Sequence, residues 1–237
     1  MHKIAIPQYV IDRVTKLRGR LHAFDQFLGP STALLVVDLQ NVFMLPPYPT
    51  EVPLAREIVP NVNRLAAATR AAGGTVVWVQ MTHQEDDQKS WSVFYDNVSG
   101  SAKRREGLKH LARGTHGQAL YDGLDVETID LKVEKNRFSA FIQGSSDLDR
   151  LLKARGIDTV LVTGTVTNTC CESTARDAMM LNYRTVMVSD ANAAATDEEH
   201  NATLANMLRI FGDVMSTDEV IERLIEAPPA ARSAAGR

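Results

Sequence analysis

Three residues of this 237-residue chain offer reactive chemistry, and each stands where an apolar run gives way to polar residues. Asp38 follows Leu34-Leu35-Val36-Val37, Lys135 follows Val133-Glu134, and Cys170 ends the run Gly164-Thr165-Val166-Thr167-Asn168-Thr169-Cys170. A carboxylate directly after an apolar strand is either a cap for the next turn or an acid–base group held at a sheet edge. A cysteine that opens a helix after a glycine-containing turn faces unpaired N–H groups and the positive end of the helix dipole, which favour thiolate over thiol. The run Glu134-Lys135-Asn136-Arg137 read by itself is a solvated turn, but an ammonium near a thiol and a carboxylate would hold the thiolate by charge attraction. Together the three groups would make a nucleophile, a proton acceptor and a charge stabiliser.

The fold has to bring these positions together. From residue 32 onward, apolar runs alternate with helical periodicity. Residues 33–38 read as strand one, 75–80 as strand two, 127–133 as strand three, 159–163 as strand four, 185–189 as strand five and 213–215 as strand six. Helices are expected over 53–72, ended by Gly73-Gly74, through 148–152, closed by Gly156, and over 170–181, 197–210 and 217–225, the last with Thr217 as N-cap. Such alternation implies βαβ units, a largely parallel six-stranded sheet and a Rossmann-like three-layer α/β sandwich. Ligands of such sheets sit beyond the carboxyl ends of the strands, where strand order reverses. With the order 3-2-1-4-5-6, strands one and four meet there, just after Val37 and Thr163.

Flanking this body, residues 1–31 read as an N-terminal extension with a short helix, its stripe of Val10, Ile11, Val14 and Leu17 packing on the body or on a neighbouring subunit. The main domain spans 32–226, and 227–237, with Pro228-Pro229 and five alanines, reads as a flexible tail. Residues 82–124 lose periodicity and are expected to form a loop region that shapes a pocket, with Trp91, Phe94 and Tyr95 as loop core or pocket wall. The run Lys103-Arg104-Arg105 within it reads as a solvated face.

Composition excludes several classes. With 44% hydrophobic residues, this length buries a core without disulfides or structural metal. A balance of 26 basic against 29 acidic residues offers neither a nucleic-acid footprint nor a polybasic membrane patch. Apolar stretches are far too short for a membrane span, and the first residues show no secretory signal. The only cysteines, Cys170 and Cys171, are adjacent and cannot staple distant segments, so reduced thiols and a cytoplasmic location are expected.

Taken in order, Val36-Val37-Asp38-Leu39-Gln40-Asn41, Lys135 with Ser139-Ala140-Phe141, and Gly164-Thr165-Val166-Thr167-Asn168-Thr169-Cys170 resemble the motifs of the isochorismatase-like cysteine hydrolases. The resemblance covers about residues 32–225 and is greatest to the ureidoacrylate and N-carbamoyl amidohydrolases. It implies the strand order given above and a catalytic set of Asp38, Lys135 and Cys170. It also implies a non-proline cis peptide between Thr165 and Val166, which would aim the N–H groups of Val166 and Cys170 at one point as an oxyanion hole. Val166 stands where a smaller alanine is common. The motif spacing selects Cys170 as nucleophile, leaving Cys171, about 100° away on a helix, to packing.

The expected function is thus cysteine-dependent hydrolysis of the C–N bond of a small linear amide, ureido or N-carbamoyl compound through a thioester. Asn41, Trp91, Tyr95 and Phe141 are candidate substrate-binding residues. Alternatives are vinyl-ether hydrolysis of the isochorismatase type, which the cysteine disfavours, and a catalytically silent binding or assembly protein of the same fold. His83 stands near the position from which metal-binding members draw ligands, but no HxH or HxxxH spacing occurs, so no metal and no other cofactor is expected. Expected partners are a small molecule and further copies of the chain, as a homodimer or homotetramer.

Overall fold

A computed structural model describes residues 1–83, 86–99 and 109–226. Its strands are β1 (Phe27–Leu28), β2 (Thr32–Val37), β3 (Thr75–Met81), β4 (Leu131–Lys135), β5 (Thr159–Thr165), β6 (Arg184–Ala193), β7 (Asp213–Met215) and β8 (Leu224–Ile225). Its α-helices are α1 (Gln8–Arg18), α2 (Asn41–Met44), α3 (Val59–Ala71), α4 (Asp87–Ser90), α5 (Leu148–Lys153), α6 (Glu172–Met180), α7 (Asp197–Asn206) and α8 (Thr217–Arg223). The central sheet has six parallel strands in the order β4-β3-β2-β5-β6-β7, the arrangement expected from the sequence.

The middle strand explains the layering. Every residue of β2 is buried, and its side chains alternate between two cores, as a period of two requires. Ala33, Leu35 and Val37 join Leu148 and Leu152 of α5, Ala175 and Ala178 of α6, and Leu204 of α7. Leu34 and Val36 join Val62, Leu65 and Ala66 of α3 and Val220 of α8.

Several boundaries differ from expectation. Strand three runs Leu131–Lys135, so Lys135 ends the strand rather than following it. The preceding residues are held in a turn by Asp130, which accepts from the Glu127 N–H, Trp78 Nε1 and Arg70. The helix expected over 53–72 is broken into a 3-10 turn at Pro53–Arg56 and α3, because Pro60 lacks an N–H and is tolerated only at a helix start. Strands four and five are longer than expected, and Asn192 bridges the irregular register between them by donating to Val162 and Val188 carbonyls. The cap of α8 is Ser216, which forms a reciprocal capping box with Glu219, and not Thr217.

The N-terminal segment folds onto the body of its own chain. Val10 and Val14 are 1% exposed and belong to the core around Leu204 and Leu208. Arg18 donates to the carbonyls of Leu208 and Gly212, and β1 pairs in parallel with β8. Of the expected stripe only Leu17 stays exposed. The segments 100–108, with Lys103-Arg104-Arg105, and 227–237 lie outside the described residues. No helix among the described residues is long and apolar enough to cross a membrane.

Candidate active site

The end of β2 places the first reactive group. Asp38 turns the chain at φ +54°, and its N–H still donates to the Val79 carbonyl at 2.9 Å. Its carboxylate is fully buried and held on both oxygens: Oδ1 accepts from the Met81 N–H at 3.0 Å and Oδ2 from Lys135 Nζ at 2.8 Å. Gln40 steadies the same corner, donating to the Met81 and Gln118 carbonyls and accepting from the Met81 N–H.

Lys135 arrives from β4, where the register sets it beside Met81. At 1% exposure its ammonium is sealed from solvent, bonded to Asp38 and to the Arg137 carbonyl at 3.1 Å. Burial disfavours the charged amine, but Asp38 and Cys170 outweigh it and hold Lys135 above its ordinary range. An ion pair this dry persists because each charge satisfies the other within a hydrogen-bonded shell.

Cys170 comes from the end of β5. The chain leaves the strand at Thr165, and a turn of π-type helix over Thr167–Cys171 leads into α6, so the helical segment opens three residues before the cysteine. Cys170 is buried, and its thiol interacts with both Asp38 and Lys135. Burial pushes the thiol well above its ordinary range, Asp38 pushes it further, and Lys135 only partly offsets them. Desolvation and the nearby carboxylate thus act in favour of the thiol, opposite in direction to the helical turn and the ammonium, which favour the thiolate. Cys171 faces the core, its thiol 3.8 Å from the Thr163 carbonyl. The peptide between Thr165 and Val166 is cis, as the resemblance implied.

The remaining candidates divide. Asn41 is 4% exposed and commits its amide to His116, donating to the carbonyl at 2.9 Å, and Tyr48 Oη lies 2.9 Å from His116 Nδ1. No sequence pattern pointed to His116 or Tyr48, since the loop that carries His116 is brought to Asn41 only by folding. Trp91 stacks on Phe94 at 4.3 Å and meets Tyr95 and Phe138 edge-on, with the Arg137 guanidinium 5.0 Å above it. Trp91, Arg137, Phe138, Ser139, Ser173 and Arg176 are among the residues that line a cavity of about 410 Å³. Tyr95 is buried beside His83, and burial with Asp87 pushes its hydroxyl up to about 12. Phe141 packs into the core against Tyr183, ring centroids 5.4 Å apart. His83 lies 3.5 Å from Asp87, and no three His, Cys, Asp or Glu side chains converge as a metal donor set among the described residues.

Comparison with known proteins agrees with this architecture. Residues 32–219 match the isochorismatase domain. The chain is 32% identical over 220 residues to the ureidoacrylate amidohydrolase RutB of Klebsiella pneumoniae, covering 86% of this chain and 92% of that one. It is 36% identical over 182 residues to a protein of Arabidopsis thaliana named a probable inactive nicotinamidase, covering 76% and 89%. Among solved structures, a cysteine hydrolase from Pseudomonas syringae superimposes with a TM-score of 0.76 at 31% identity, covering 86% of this chain and 96% of that one. N-carbamoylsarcosine amidase from Thermoplasma acidophilum gives 0.63 at 28%, covering 79% and 97%. The match spans the sheet and all three of the strand ends that carry Asp38, Lys135 and Cys170, and the chain belongs to the isochorismatase family.

Proposed function

We propose that this protein is a cysteine-dependent amidohydrolase that cleaves the C–N bond of a small linear amide, ureido or N-carbamoyl compound. The observation that carries the reading is the sealed Asp38–Lys135 pair at 2.8 Å with the Cys170 thiol coupled to both. In the first half-reaction Sγ of Cys170 attacks the substrate carbonyl while Asp38 accepts the thiol proton. The developing oxyanion is met by the N–H groups of Val166 and Cys170. Collapse breaks the C–N bond, the leaving nitrogen takes the proton from Asp38, and a thioester remains. In the second half-reaction Asp38 deprotonates a water that attacks the thioester, and the proton returns to the departing sulfur. Lys135 stays charged throughout and remains hydrogen-bonded to Asp38 Oδ2.

This assignment suits a resting thiol. A thiol loses its proton only as the carbonyl is attacked, so no charged nucleophile has to be stored in a dry site. Trp91, which lines the cavity together with Arg137 and Phe138, supplies an aromatic face suited to a planar ureido or carbamoyl group. Reduced thiols suit a cytoplasmic enzyme, and the exposed Tyr9 and Leu17 of α1 suit a homodimer or homotetramer, which light scattering would read.

An ammonia-release assay over ureido acids, N-carbamoyl amino acids and nicotinamide tests the reading. Turnover of a ureido or N-carbamoyl acid, with weaker turnover of nicotinamide, is expected. Nicotinamide as the best substrate, or consumption of isochorismate alone, would overturn it.

A further inference from the structure

We propose that His200 is a positioning residue for the turn that carries Cys170, which it holds through the Thr167 hydroxyl. The inference rests on the amidohydrolase reading above. Thr167 is fully buried at the start of the turn, between Val166 and Cys170, and its Oγ1 lies 2.9 Å from His200 Nδ1. The other ring nitrogen, Nε2, lies 3.0 Å from the Ser189 carbonyl oxygen, which can only accept, so Nε2 carries a proton. In the neutral ring Nδ1 is then an acceptor, and the Thr167 hydroxyl donates to it. Burial, with His2 alongside, lowers the His200 pKa to about 4, which keeps the ring neutral at working pH.

The imidazole thus ties the turn to two elements outside it, α7 through its own backbone and β6 through Ser189. It is also braced from behind. His2 stacks on it with ring centroids 4.2 Å apart and planes 11° apart. His2 is itself held, by Asp197 Oδ1 at 2.7 Å and by the Ala194 N–H, which donates to its Nε2 at 2.9 Å. The same helix grips the start of α6, where the Thr203 hydroxyl donates to Glu172 at 2.6 Å. None of the hydrogen bonds of this network goes to Asp38, Lys135 or the Cys170 thiol. What it sets is the direction of the Val166 and Cys170 N–H groups, and oxyanion donors lose most of their effect when displaced by a fraction of an ångström.

Stabilisation of this kind acts in the transition state, so its loss falls on kcat and not on KM. With the substrate found in the ammonia screen, Thr167→Val and His200→Ala are each expected to lower kcat at least about tenfold while KM moves less than about threefold. Thr167→Ser, which keeps the hydroxyl, should stay within about threefold of wild type, and the double variant should be no slower than the worse single one. Should His200→Ala fail to fold, the near-isosteric Thr167→Val carries the same test. Thr167→Val at wild-type kcat, or Thr167→Ser as slow as Thr167→Val, would overturn the assignment. Amide hydrogen exchange over residues 164–171 reads the clamp without substrate: Thr167→Val should accelerate it at least about tenfold, and unchanged exchange would refute the clamp. A wild type inactive on every amide would sink the amidohydrolase reading, and exchange would then decide the clamp by itself.

Discussion

Gly164 and Val37 lie opposite each other in neighbouring strands, so close that a Cβ on the glycine would meet the Val37 carbonyl oxygen at 2.0 Å. Gly164 also has φ +118°, a backbone conformation that side chains rarely tolerate. One residue past Val37 is Asp38, and six past Gly164 is Cys170. The close approach therefore sets the spacing of the two segments that carry the proposed nucleophile and its base. Gly164→Ala is expected to destabilise the protein by about 2–4 kcal/mol, from overpacking and backbone strain together. Urea unfolding followed by circular dichroism measures this, and a midpoint equal to wild type would contradict it.

The two cysteines should separate cleanly. Cys170→Ala is expected to lower kcat at least about a thousandfold, as loss of a covalent nucleophile does. Cys171→Ala should keep most of the activity, because its thiol faces the Thr163 carbonyl in the core. Comparable losses in steady-state ammonia release would refute the assignment.

Lys135 and Asp38 should behave as a unit in stability but not in catalysis. Lys135→Met strands a buried carboxylate and is expected to cost about 3–5 kcal/mol. The double variant Asp38→Asn/Lys135→Met removes both charges and should recover much of that stability while staying inactive. Thermal unfolding of the two variants measures the first effect and the ammonia assay the second.

The raised thiol has a direct signature. Because burial and Asp38 favour the protonated form, the iodoacetamide labelling rate of Cys170 should keep rising with pH past the ordinary cysteine range, with no plateau near pH 7. A plateau at neutral pH would mean that Lys135 wins and that a thiolate is stored. Labelling of the Cys171→Ala variant assigns the signal.

Removing residues 1–28 should destabilise the single chain. Val10, Val14 and Phe27 are at most 1% exposed, and fully burying such side chains contributes about 1.5–3 kcal/mol each. A melting temperature unchanged by the deletion would contradict their role in the core.

Much of this architecture is local and therefore legible in the residues. The apolar runs of β2 and β5, the glycines that end helices, and the order in which Asp38, Lys135 and Cys170 follow their strands already imply a parallel sheet with chemistry at its carboxyl edge. The resemblance that selects Cys170 over Cys171 is likewise carried by a short run of neighbouring residues. Folding decided what depends on contacts between distant segments. Lys135 became the end of a strand because Asp130 is drawn to Arg70 and Trp78, more than fifty residues away, and so holds the preceding turn. Val10 and Val14 found their partners near Leu208, so of a stripe expected to pack on the body or on a neighbouring subunit these two are covered by the chain itself, while Leu17 stays exposed. Asn41, expected to face substrate, gives its amide to His116, 75 residues on. The environment of Cys170 lay furthest from the sequence: a helix start and a nearby lysine favour thiolate, whereas the burial of the site and Asp38 against the thiol push its pKa up, because desolvation belongs to everything that packs around a group.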